Sequence, residues 1–134
     1  MTNATALVSV KRQQLTWWIV FAIGCSAFAV VRLRPMLPPP HYGAVSVGFT
    51  IVAAVLQEAI FRRFLYGHLE RFGAPTAIIT TAALFAVFHL PRYGPGALPI
   101  DFAAGLIFGW QRWASGSWTA PAATHIVANL VQLW

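Results

Sequence analysis

Of the 134 residues, 58% are hydrophobic and only 9% charged, far from the roughly 25% charged of a soluble domain. Nine Lys and Arg stand against three Asp and Glu, a formal net charge of +6, but no basic stripe interleaved with aromatics is present, which argues against nucleic acid as a partner. The composition is that of an integral membrane protein, all-α, with room for a bundle of about five short spans at roughly 20 residues per crossing.

The polar N-terminus carries Lys11 and Arg12 ahead of an apolar run, like the n-region of a signal peptide. Arg32 and Arg34 follow that run where a small-residue cleavage site would be needed, so the expectation is an uncleaved span from about Leu15 to Val31, opening on Trp17 and Trp18. The lone Cys25 lies within it and excludes an internal disulfide framework. Pro35, Pro38, Pro39 and Pro40 cannot continue a helix and read as an extended connector. The chain thus divides into an N-terminal segment, 1–42, and a core, 43–134.

A second span is expected from near Tyr42 or Gly43 through Glu58, continuing amphipathically to about Arg71. Phe61, Phe64, Leu65 and Leu69 mark its apolar face, while Glu58 and Arg62 fall elsewhere and must face protein rather than lipid. Gly73 and Pro75 stop it. The third span, Thr76 to Leu90, is expected to end at Pro91, with His89 in its last turn. A turn-rich stretch leads to a fourth span, Ile100 to Trp113, in which Gly105 and Gly109 form a small-xxx-small pair and Asp101 offsets the helix dipole at the start. The fifth runs from Trp118 or Thr119 to Trp134, with Pro121 in its first turn and His125 and Asn129 on one face. His41, His68 and the tryptophans read as interface residues. Six basic residues on one side (Lys11, Arg12, Arg62, Arg63, Arg71, Arg112) against three on the other (Arg32, Arg34, Arg92) orient the N-terminus toward the cytoplasm.

Glu58 with Arg62, Phe85 with His89, and His125 with Asn129 are three pairs, each four residues apart, in otherwise apolar segments. An ionisable group at a membrane-helix centre costs on the order of 2.5–3.5 kcal/mol on insertion scales, which marks Glu58, Arg62, His89, His125 and Asn129 as one candidate site drawn from three helices. The set holds a carboxylate able to take a proton from water, histidines able to orient that water, and an Asn–His pair able to donate to an oxyanion. Glu58, His89 and His125 would equally suit zinc, although no HExxH is present.

The stretch Gln57-Glu58-Ala59-Ile60-Phe61-Arg62, with Phe85 to His89 and His125 to Asn129, resembles the motifs EExxxR, FxxxH and HxxxN of the CPBP family, the CAAX prenyl protease and bacteriocin-processing proteins, also called glutamic intramembrane proteases. The resemblance implies a helical membrane enzyme that hydrolyses a peptide bond near the membrane face with glutamate-activated water. It implies no cofactor, lipid and a peptide or lipidated protein as partners, and a bacterial or archaeal cell membrane. Glu58, Arg62, His89, His125 and Asn129 would be its catalytic residues, with Phe85 for packing.

The departure is Gln57, which stands where the family has its first glutamate, the one that activates water; an amide is no general base. Either Glu58 has taken over that role, or the protein has lost hydrolysis and binds a membrane peptide or protein through the same cavity. Because only five residues follow Asn129, a closing helix of longer relatives is not expected, which leaves room for a partner subunit or a second copy.

Overall fold

A computed structural model describes residues 3–32 and 47–132. The proline-rich connector and the expected start of the second span at Tyr42 or Gly43 lie outside the described residues. Helix α1 is Asn3–Arg32; α2, Val47–Glu58, runs without a break into a π-helical segment, Ala59–Leu65, then α3, Tyr66–Leu69, and a 3-10 turn, Glu70–Phe72. Helix α4, Ala74–Tyr93, is joined by a 3-10 turn, Pro95–Ala97, to α5, Leu98–Ser115, and α6 is Thr119–Gln132. Every described element is helical.

Two boundaries differ from expectation for physical reasons. Pro91 lies inside α4 instead of ending it. Proline removes one amide donor near the end of the helix, and the chain completes a further turn before Gly94, at φ +76°, caps it by donating its N–H to Leu90 O at 2.9 Å. The second is the π segment, where hydrogen bonds run i→i+5 and the wider turn brings side chains four apart more nearly into line.

Helices α4 and α5 form the tightest pairing, and the glycine pair explains it. A Cβ on Gly105 would lie 2.7 Å from Ala82 Cα, and one on Gly109 would lie 3.1 Å from Ile78 Cγ2. The backbones therefore touch, in an antiparallel register in which each step of four residues on α5 is matched by four on α4. Phe61, Phe85 and Phe108 form the buried core from the π segment, α4 and α5, with Phe28 of α1 stacked on Phe108 at 5.3 Å between centroids. Gln111 fastens α1 to the bundle: its Nε2 donates to Val20 O at 2.9 Å and to Thr124 Oγ1 at 2.8 Å.

Polarity is distributed inside out. Glu58, Arg62 and Gln111 are 0% exposed, whereas Phe49, Phe64 and Ile79 are more than half exposed. Among the described residues two helices, Gln13–Val30 within α1 and Ala74–Tyr93, are long and apolar enough to cross a membrane.

Candidate active site

The site begins where α2 passes into the π segment. Glu58, the last residue of α2, is fully buried and shared between two neighbours. Its Oε1 accepts from His125 Nδ1 of α6 at 2.9 Å, and its Oε2 lies 3.4 Å from Arg62 Nε. The second contact is an ion pair without hydrogen-bond geometry, so Glu58 Oε2 and Arg62 Nε and Nη1 retain unused bonding capacity in the interior.

Arg62 is held by α5 at both ends. Its Nη2 donates to Gly105 O at 2.9 Å, and its own carbonyl accepts from Arg112 Nε at 3.2 Å. The guanidinium lies over the rings of Phe85 at 4.8 Å and Phe108 at 5.3 Å, contacts that favour a desolvated cation. Arg112 is itself held over Tyr66 at 5.1 Å and 3.9 Å from Glu70 Oε2. It thereby secures the backbone of the π segment from outside the site.

His89, in the penultimate turn of α4, is 8% exposed. Its Nδ1 lies 2.9 Å from Phe85 O, and a carbonyl can only accept, so the proton is on Nδ1 and Nε2 offers its lone pair. The Nδ1 of His125, facing the Glu58 carboxylate, is a donor for the same reason. Phe85 touches both imidazoles, with centroids 4.4 Å from His89 and 5.6 Å from His125, and Phe108 stacks on His125 at 4.9 Å. Asn129 lies one turn beyond His125 on α6, half-buried.

Glu58, Arg62, His89 and His125 are thus gathered around the rings of Phe85 and Phe108, with Asn129 on the adjacent turn. Glu58, rather than Gln57, is the residue set against His125. Gln57 is half-buried, and its Oε1 is enclosed without a hydrogen-bond partner. Among the described residues, no three His, Cys, Asp or Glu side chains are placed to hold a metal ion.

A model of the family described as type II CAAX prenyl endopeptidase Rce1-like matches residues 39–131. The chain belongs to that family. The match includes all three sequence motifs and begins after α1, so the Rce1-like core is α2 to α6. No curated protein and no solved structure matches the chain.

Two residues near the site were not legible as parts of it. Asp101, read from the sequence as a helix-dipole charge, does sit in the first turn of α5, but its Oδ2 is buried without a hydrogen-bond partner and it lies within electrostatic reach of His89 and His125. Its one sequence signal is that it is among only three acidic residues in the chain. Arg112, counted as a topology charge, contacts the π segment; a basic residue at a helix end carries no signal that distinguishes this from snorkelling.

Proposed function

We propose that this Rce1-like protein is a multi-pass intramembrane endopeptidase that hydrolyses a peptide bond near the membrane face of a lipidated or otherwise membrane-associated peptide. The observation that carries the reading is the fully buried Glu58 shared by His125 and Arg62. Burying an ion pair costs several kcal/mol per charge before any attraction returns, and three helical segments converge to keep this one. The five longest helices, α1, α2, α4, α5 and α6, are read as the spans, because they expose large apolar residues while Glu58, His89 and His125 are buried.

Glu58 activates the attacking water directly or by orienting His125. In the second case its carboxylate fixes the Nδ1–H tautomer and leaves His125 Nε2 to hold the water, as carboxylates do for imidazoles elsewhere. Arg62 balances the charge of Glu58. His89, its Nδ1 committed to the backbone, presents Nε2 to the same space, and Asn129 donates to the carbonyl oxygen as it gains charge, a contribution of about 3 kcal/mol in comparable sites. Phe85 and Phe108 exclude bulk water. No cofactor is proposed, and zinc is the alternative: activity lost to a chelator and restored by zinc selects it.

A second reading is favoured by one observation, the amide at Gln57: a member that binds a membrane peptide or partner protein without cleaving it. A cleavage assay on wild type, Glu58→Gln and Gln57→Glu separates the two. An endopeptidase cleaves as wild type and loses activity in Glu58→Gln; a binder is inert as wild type and gains turnover in Gln57→Glu.

A further inference from the structure

The chain has only three carboxylate side chains, Glu58, Glu70 and Asp101. Glu70 stands outside the site, beside Arg112. Glu58 already has one oxygen hydrogen-bonded to His125 and the other 3.4 Å from Arg62, so each of its oxygens faces a nitrogen of another site residue. Asp101 Oδ2, like Glu58 Oε2, is enclosed with no hydrogen-bond partner among the described residues. An enclosed polar atom with no partner is rare and calls for a ligand or water to supply the bond.

The position of Asp101 in the fold puts it in the site. Gly105 packs on Ala82 and Gly109 on Ile78, so continuing the antiparallel register by one turn sets Asp101 level with Ala86, between Phe85 and His89 along α4. One turn after Asp101, the carbonyl of Gly105 receives Arg62 Nη2. The titratable groups within electrostatic reach of it are His89 from α4 and His125 from α6. Beyond them stand Glu58, bound to His125, and Arg62.

We propose that Asp101 supplies from α5 the proton-accepting carboxylate that Gln57 cannot supply from α2, leaving Glu58 as the residue that orients His125. This rests on the endopeptidase reading above. As the water oxygen bonds to the carbonyl carbon, one water proton passes to Asp101 Oδ2 and the carbonyl electron pair moves to oxygen. On collapse the C–N bond breaks, the departing amine takes that proton from Asp101, and the carboxylate is regenerated.

The test uses the full-length protein in detergent and a quenched fluorescent peptide ending in a prenylated cysteine and three further residues. General bases contribute typically 10²–10⁴-fold, so Asp101→Asn is expected to lower kcat at least 100-fold with KM within about threefold. Asp101→Glu, which displaces the carboxylate by one methylene, is expected to lose about tenfold. Moving the acid back to α2 in Asp101→Asn/Gln57→Glu is expected to recover at least tenfold over Asp101→Asn, a rescue that a purely structural role does not give. Unchanged kcat in either single variant, or no recovery in the double variant, overturns the proposal. If wild type cleaves nothing, the endopeptidase reading fails and takes the proton-transfer step with it. The placement of Asp101 is then read separately, from the NMR ring signals of histidine-labelled protein. Asp101→Asn is expected to move those of His89 and His125 and to spare His68; unmoved signals overturn the placement as well.

Discussion

Replacing Gly105 by alanine adds one methyl group where the backbone of α5 meets that of α4. The new Cβ would lie 2.7 Å from Ala82 Cα, 3.0 Å from Ala82 Cβ and 3.1 Å from Ala82 O, against 3.4–4 Å for ordinary contact. Two of these three atoms are backbone, so no side chain can turn aside and α4 must move by several tenths of an ångström. Overpacking of this kind costs about 1–3 kcal/mol. The shift also reaches the site, because Gly105 O is the acceptor for Arg62 Nη2. Two further glycines calibrate the effect. Gly109→Ala meets Ile78 at 3.1–3.4 Å, a milder clash involving a side-chain methyl and the backbone, and is expected to cost about 1 kcal/mol. Gly67→Ala, in α3 with nothing within 4 Å, is expected to stabilise by about 0.5–1 kcal/mol through helix propensity alone. Denaturant unfolding in mild detergent, followed by tryptophan fluorescence, measures the series. The expected order of stability is Gly67→Ala above wild type, then Gly109→Ala, then Gly105→Ala. A Gly105→Ala protein as stable as wild type refutes the α4–α5 packing on which the site is built.

Arg112→Gln removes the donor to Arg62 O, and hydrogen exchange of the amides in 59–67 is expected to accelerate about tenfold relative to the rest of the chain, whereas Glu70→Gln, at a half-exposed partner 3.9 Å away, is expected to change it less than twofold. Equal effects of the two substitutions would reject the role given to Arg112. Gln111→Ala deletes two buried hydrogen bonds between α5 and its neighbours α1 and α6, each worth about 1 kcal/mol; a loss of about 2 kcal/mol in denaturant unfolding is the expected readout, with unchanged stability as the contrary result. Asn129→Ala is expected to lower kcat about 100-fold at constant KM if it donates to the oxyanion, and a rise in KM alone assigns it to substrate binding instead.

How far the sequence discloses this arrangement depends on whether a feature is local or tertiary. The all-helical architecture is legible from apolar runs bounded by Pro, Gly and Arg, and the expected span of 100–113 falls within α5, Leu98–Ser115. The small-xxx-small pair at Gly105 and Gly109 is legible because close helix approach needs small residues at that interval. Local spacing also shows that Glu58 and Arg62 share a helix face. It does not show that Glu58 meets His125, 67 positions away. The π segment has no sequence signature, since its altered hydrogen bonding is fixed by what packs on it, including Arg112. Pro91 is a helix stop by local rules, but a proline this close to a glycine-capped end removes one donor without preventing the final turn. Asp101 misleads for a related reason. The first helical turn is where a carboxylate is favourable in any exposed helix, and only the register with α4 sets that position level with the turn that carries His89.

Whether the buried Glu58 centre cleaves peptide bonds is decided by mass spectrometry of a prenylated peptide incubated with purified wild type and with Glu58→Gln. Wild type is expected to give paired products, with the new carboxylate carrying one oxygen from labelled water, and Glu58→Gln to form them at least 100-fold more slowly. Cleavage by Glu58→Gln at the wild-type rate would contradict this role of Glu58.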